Sequence, residues 1–207
     1  VHTLSSGASG LEALLTMMRL NVRNLPVLEH GRVLGMITVT DLLRHQGSHA
    51  VYLAGDVRKA GSPETLVQAC RQLPELQIQM VASGASGYHV AQAISAVTDA
   101  VTRQLIALYE EENGAPPAPY AWVAVGSQAR REQSVHSDQD HALVFSDGVD
   151  PARVPWYEGL ARYVSEGLAA CGFVKCPGEM MATNAQWRQP LSVWEQYFRG
   201  WIDQPQS

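Results

Sequence analysis

"VAVGSQARREQSVHSDQDHALVF", residues Val123 to Phe145, is the stretch whose reading decides the fold. Tyr120 to Val125 reads as a buried strand, Gly126-Ser127 as a turn, Gln128 to Gln133 as a short helix and Asp140 to Phe145 as a second strand. Glycine lets a backbone come close to an anion, and the free N–H groups of a turn and a helix start point at it. Ser127 adds a hydroxyl donor, so Gly126 and Ser127 are candidate nucleotide-binding residues. Eleven residues beyond Ser127, Asp138 and Asp140 open the second strand. Strand alternation puts residues two apart on one face, about 6.5–7 Å apart at Cα. Two carboxylates so placed can converge on Mg2+ or Mn2+, cations that take oxygen ligands and substrate phosphates. A phosphate cradle beside such a pair is the equipment of phosphoryl or nucleotidyl transfer. Gly-Ser alone is a common turn, and Asp-x-Asp alone is a solvated loop or a helix cap. Only the combination is specific. Arg130, in the helix after the turn, either reaches a phosphate or belongs to a solvated face.

Downstream, Asp150 caps a helix with Pro151 in its first turn and the stripe Trp156, Leu160, Tyr163, Val164, Leu168, and Gly172 closes it. Phe173 to Cys176 reads as a third strand and Leu191 to Ile202 as a last, aromatic helix. Strands alternating with helices predict an α/β (α+β) fold. Upstream, residues 62–113 are helical. Ser62 caps a helix that Pro63 begins, Pro74 splits it, and Ser83 to Gly87 is a break. Val90, Ile94, Val97, Val101, Leu105 and Leu108 then mark one face of a long helix, giving a helical hairpin. Its acidic end, Glu110-Glu111-Glu112, opposes the helix dipole and is expected to fray. Residues 1 to 48 read as helix, strand, strand, helix, with a hairpin at Glu29-His30-Gly31.

Composition narrows the class. Of 207 residues 46% are hydrophobic and 17% charged, too apolar for a disordered chain. Fifteen basic residues against twenty acidic give a formal charge of −5, with no basic run, which argues against nucleic acid as the main partner. No apolar stretch approaches the ~20 residues a bilayer span needs. A basic start followed by an apolar block is missing from the first fifteen residues, so no membrane association and a cytoplasmic location are expected. Three cysteines, an odd count, fit reduced thiols. Cys171 and Cys176, five apart without a nearby His, read as packing rather than as zinc ligands.

Gly126-Ser127 followed by Asp138-Gln139-Asp140 resembles the signature of the DNA polymerase beta-type nucleotidyltransferase superfamily. The wider sequence, with the segment Cys176-Pro177-Gly178 to Trp187-Arg188, is similar over residues 62–202 to nucleotidyltransferase domains related to the N-terminal part of protein-PII uridylyltransferase, which follow CBS domains in bacterial signalling proteins. The resemblance implies that Gly126 and Ser127 hold a nucleoside triphosphate, with Arg130 available to its phosphates. Asp138 and Asp140 would be the catalytic, metal-binding pair, and an acceptor protein the second substrate. Gln139 and His141 depart from the apolar flanks usual there, and His141 reads as a packing or supporting residue. The superfamily's third carboxylate has no clear counterpart in Glu179, Glu195 or Asp203, and the related branch places it beyond Ser207. With the start at Val1, this leads to the expectation of a C-terminally truncated domain over 114–207 that transfers nucleotides poorly by itself.

"NVRNLPVLEHGRVLGMITVTDLLRH" resembles the end of a CBS domain, so residues 1–48 are expected to be a partial one. Gly35-x-x-Thr38-x-x-Asp41 matches that family's adenosine-nucleotide motif, which implies Thr38 at phosphate and Asp41 at ribose of AMP or ATP. The same spacing also reads as a capping box. CBS domains work in pairs, which implies a homo-oligomer. The sequence thus supports two readings: a signal-transduction nucleotidyltransferase, or a non-enzymatic adenine-nucleotide-sensing module on an incomplete transferase fold.

Overall fold

A computed structural model describes residues 2–45, 49–82 and 84–204. The N-terminal unit begins with β1 (Leu4–Ser5) and α1 (Gly10–Leu20), whose first turn is capped by the Ser9 hydroxyl accepting from Glu12 N. β2 (Asn24–Glu29) and β3 (Arg32–Thr38) form the expected antiparallel hairpin. His30 and Gly31 turn it with φ of 47° and 78°, the two successive positive values that match the twist of paired strands. β1 adds in parallel to β2, a strand too short to carry a periodic signal. α2 (Val39–His45) follows.

α3 (His49–Lys59) occupies a stretch to which the sequence reading assigned no element. α4 (Pro63–Cys70) carries a reciprocal cap between Ser62 and Thr65, and α5 (Leu73–Ala82) takes Pro74 in its first turn, so the proline splits the helix as expected. Of the break expected at Ser83–Gly87, Ser83 lies outside the described residues. Ser86 caps α6 (Gly87–Asn113). Val90, Ile94, Val97, Val101 and Leu105 are buried, while Leu108 is half-buried and Tyr109 takes its place in the core. α6 does not pair with one partner helix alone; it packs against α1, α3 and α5 and against a helix that follows it in the chain. Its acidic end is helical through Asn113 rather than frayed. Tyr120 Oη donates to Glu110 Oε1 (2.6 Å) and Asn113 Nδ2 to Tyr109 O (3.1 Å), and these bonds offset the unfavourable dipole.

β4 (Tyr120–Ala124), α7 (Gly126–Arg130), β5 (Asp138–Gln139) and β6 (His141–Phe145) follow. α7 is shorter than expected because Arg131 adopts a left-handed φ of 58° and closes it. Asp150 caps only a short 3-10 turn, Pro151–Arg153; α8 (Pro155–Ala170) starts afresh at Pro155. Its inner face is Tyr157, Leu160, Ala161, Val164 and Leu168, with Trp156 and Tyr163 at the margin of the core. Gly159 and Gly167 let α8 lie close on α6: a Cβ on Gly167 would stand 2.4 Å from a Leu105 methyl carbon. β7 (Val174–Lys175), β8 (Arg188–Pro190) and α9 (Leu191–Asp203) complete the chain. One mixed sheet has the order β4-β6-β8, with β4 antiparallel and β8 parallel to β6; β5 and β7 pair in parallel beside it. The fold is α/β, with small mixed sheets flanked by helices. No helix among the described residues is long and apolar enough to cross a membrane.

Candidate nucleotide and metal site

β4 and β6 set Ala124 opposite His141, and Val125 N extends the ladder by donating to Asp140 O (3.0 Å). The chain therefore leaves β4 beside Asp140. It turns at Gly126, whose φ is +56°, and a Cβ there would sit 2.1 Å from Asp140 Oδ2. The backbone angle favours glycine, and any residue with a Cβ would force the Asp140 carboxylate to move. Ser127 comes next, and its carbonyl accepts the Glu132 N–H (2.8 Å), closing the turn after α7.

Two helices brace this turn. Gln128 is buried and donates from Nε2 to Asp99 Oδ1 on α6 (2.9 Å). Val135 N donates to Gln77 Oε1 on α5 (3.1 Å), fixing the loop that leads to the aspartates.

Asp138 lies in β5, as the sequence predicts, but Asp140 lies between β5 and β6 rather than within one continuous strand. The ladder breaks because His141 N turns to Met180 O (2.9 Å) while Gln139 is drawn inward. Gln139 Nε2 donates to Ser165 O (3.2 Å) and Phe173 O (2.9 Å). The two polar residues that flank the aspartates are thus buried and satisfied, a network that tethers the site to α8 and β7. His141 Nδ1 accepts from Ala182 N (3.0 Å), so its proton resides on Nε2, near Gln139 Oε1 (3.2 Å) and Ser165 Oγ (3.3 Å). Burial lowers its pKa to about 4, which keeps the ring neutral, and Trp122 lies over it at 4.6 Å. It supports the site and is not a ligand.

Despite the break, the two carboxylates converge. Ligand atoms of Asp138, Asp140 and Cys176 all lie within 4.8 Å of one another, and all three residues are half-buried. β5 pairs with β7 so that Asp138 faces Val174 and Gln139 faces Lys175; the next step of that register brings Cys176 to Asp140. Sequence spacing assigns Cys176 only to packing, and the structure corrects this. The signal that identifies it is its place at the end of the strand paired with the aspartates, which no spacing in the chain reveals. Burial first, and then the Asp140 carboxylate, push its thiol up, so it holds its proton in the metal-free protein. The donor set, two carboxylates beside a glycine cradle, fits a divalent cation.

Arg130 is on the surface, its Nε paired with Glu132 Oε2 at 2.8 Å, and both side chains are largely exposed. Glu179 adopts a positive φ of 54° in the loop after β7, while Glu195 and Asp203 lie on α9; none joins the cluster. Arg188, largely buried, donates from Nη1 to Ala182 O (2.6 Å) and Thr183 O (3.0 Å), and so fixes the loop that also receives His141. Thr38 and Asp41 form a reciprocal cap at the start of α2. Asp41 N donates to Thr38 Oγ1 (3.2 Å), and the Thr38 N–H and hydroxyl both donate to Asp41 Oδ2 (2.9 and 2.6 Å).

The α/β domain thus sets a Gly-Ser turn against a pair of carboxylates. Residues 71–207 match the family described as "Putative nucleotidyltransferase DUF294", and the chain belongs to that family. Residues 1–48 match the CBS domain, so the chain joins a CBS domain to a nucleotidyltransferase-family domain. Neither a curated protein nor a solved structure matches the chain.

Proposed function

We propose that this chain is the nucleotide-handling part of a bacterial-type, cytoplasmic signalling protein. In this reading a CBS module over 1–48 senses AMP or ATP. The domain over 114–207, packed with the helices of residues 62–113, binds a nucleoside triphosphate and transfers its nucleotidyl group to an acceptor protein, in the manner of protein-PII uridylyltransferase. One observation carries it: Gly126 packs so tightly on Asp140 that a Cβ would lie 2.1 Å from Oδ2, which joins the turn and the carboxylates into one site. Backbone N–H groups at Gly126 and Ser127 would hold the triphosphate, with Arg130 reaching a phosphate once it leaves Glu132. Asp138 and Asp140 would hold Mg2+ or Mn2+, which when bound neutralises phosphate charge and activates the attacking oxygen. Val33, Leu34 and Met36 expose apolar side chains on the edge strand β3, which supports a homo-oligomer formed through the CBS part.

Calorimetry with UTP or ATP and Mg2+ tests the site. Binding is expected in the wild type and absent after Asp138→Asn with Asp140→Asn; equal affinity in that variant overturns the assignment. Labelled UTP with candidate acceptor proteins then separates transfer from binding. The second reading, a sensor that binds nucleotide without turnover, is favoured by one feature. The third donor beside the two carboxylates is a thiol, where general-base help would need an acid.

A further inference from the structure

We propose that Cys176 is a third protein ligand of the cation held by Asp138 and Asp140, and that its sulfur makes this a site for a thiophilic ion such as Zn2+. The inference rests on the reading that the paired carboxylates hold a metal. Three separate segments supply the donors: β5, the link between β5 and β6, and the residue that follows β7. Their ligand atoms already lie within 4.8 Å of one another. In a tetrahedral zinc site, with metal–sulfur near 2.3 Å and metal–oxygen near 2.0–2.2 Å, neighbouring donors stand about 3.5 Å apart.

The surroundings of the sulfur suit a bound thiolate. Its sulfur lies within 4.8 Å of a ligand atom of each aspartate, and all three residues are half-buried, so a cation between them would meet two oxygens and one sulfur. On binding, the S–H bond breaks, the proton leaves to water, and the sulfur electron pair is donated to the metal. Mg2+ is hard and keeps to oxygen, so carboxylates alone suffice for it. A thiolate adds nothing for Mg2+ but selects zinc and its neighbours. Three protein ligands leave the fourth tetrahedral position for water or a phosphate oxygen, the arrangement of a zinc site that stays open to substrate.

Cobalt(II) serves as the spectroscopic stand-in for zinc. Titrating metal-free protein with Co2+, without nucleotide, is expected to give a thiolate-to-cobalt charge-transfer band that stoichiometric Zn2+ bleaches. Cys176→Ser should remove the band and weaken zinc binding at least tenfold in competition with a chromophoric chelator. A band that persists in Cys176→Ser arises from Cys70 or Cys171 and overturns the proposal, as does the absence of any band in the wild type. X-ray absorption at the cobalt edge of the wild-type protein needs no variant. A sulfur scatterer at about 2.3 Å is expected, and an all-oxygen shell overturns the proposal. Calorimetry of the wild type with Mg2+ and triphosphate tests the underlying reading separately: a wild type that lacks that binding sinks the transferase reading, while the cobalt band still decides the role of Cys176.

Discussion

Gly126 and His141 sit on either side of Asp140, and each constrains it differently. Gly126→Ala places a methyl group where Asp140 Oδ2 now lies and forces a left-handed φ on a residue with a Cβ. The backbone term alone costs about 1–2 kcal/mol, and the carboxylate must also swing away. The expected outcome is a lower melting temperature together with lost binding of Mg2+ and triphosphate; a variant that melts lower yet binds normally would detach the glycine from the site. His141 acts through charge. Its pKa falls from 6.5 to about 4 on folding, so the unfolded chain binds the extra proton between those values. Its contribution is therefore complete above pH 6.5 and is lost as pH falls towards 4, on the order of 3 kcal/mol in all. His141→Asn keeps an acceptor for Ala182 N and cannot be charged. Urea unfolding of both proteins across this range should show the wild type losing more stability towards acid than the variant; parallel profiles would mean His141 titrates as it does when unfolded. At this scale the sequence was legible for the glycine, the serine and the two aspartates, because their spacing along the chain is short. It was silent on Cys176, which meets Asp140 only because β5 pairs with β7, Asp138 with Val174 and Gln139 with Lys175, residues far apart in the chain.

Among the elements, the long helix α6 was readable because its apolar residues recur over many turns, and periodicity accumulates with length. β1 and β8, two and three residues long, are too short for any period to register, whereas β7 falls inside the strand read at Phe173 to Cys176. α3 escaped for another reason: its apolar residues run consecutively from Ala50 to Ala54, with Val57 beyond Gly55 and Asp56, so no helical period shows, yet Leu53, Ala54 and Val57 are buried. The stripe of α6 faces more neighbours than one hairpin partner, with α3, α1 and α5 on some sides and α8 on another. Val97 has no exposed surface at the middle of it. Val97→Asp puts a charge into that packing without a partner and should cost at least about 3 kcal/mol. Thermal melting reads the effect directly, and an unchanged midpoint would mean that α6 can turn its stripe outward.

The whole molecule is tied together along α6, and the position of the chromophores makes that testable. All five tryptophans, Trp122, Trp156, Trp187, Trp194 and Trp201, lie in the last half of the chain. One buried cluster nevertheless runs from Leu53 on α3 through α6 to Phe173 and Ala182, and Leu11, Leu15 and Met18 of α1 pack against it. Asn21, at the end of α1, accepts from Arg58 Nη1 of α3, and Gln104 Nε2 of α6 donates to Ala60 O (2.8 Å). The same helix holds Asp99 under Gln128, one residue from the Gly-Ser turn. A perturbation in α1 therefore has a continuous packed route to the transferase half. Leu15→Asp, which charges the face of α1 turned to α6, is expected to lower the unfolding midpoint by a similar amount in tryptophan fluorescence and in far-ultraviolet circular dichroism, although no tryptophan lies in the first half. Coincident transitions are the mark of one cooperative unit. If fluorescence keeps its wild-type midpoint while helicity is lost in an earlier, separate step, the N-terminal unit unfolds on its own, and nucleotide binding at Thr38 and Asp41 would have no packed route to Asp138 and Asp140.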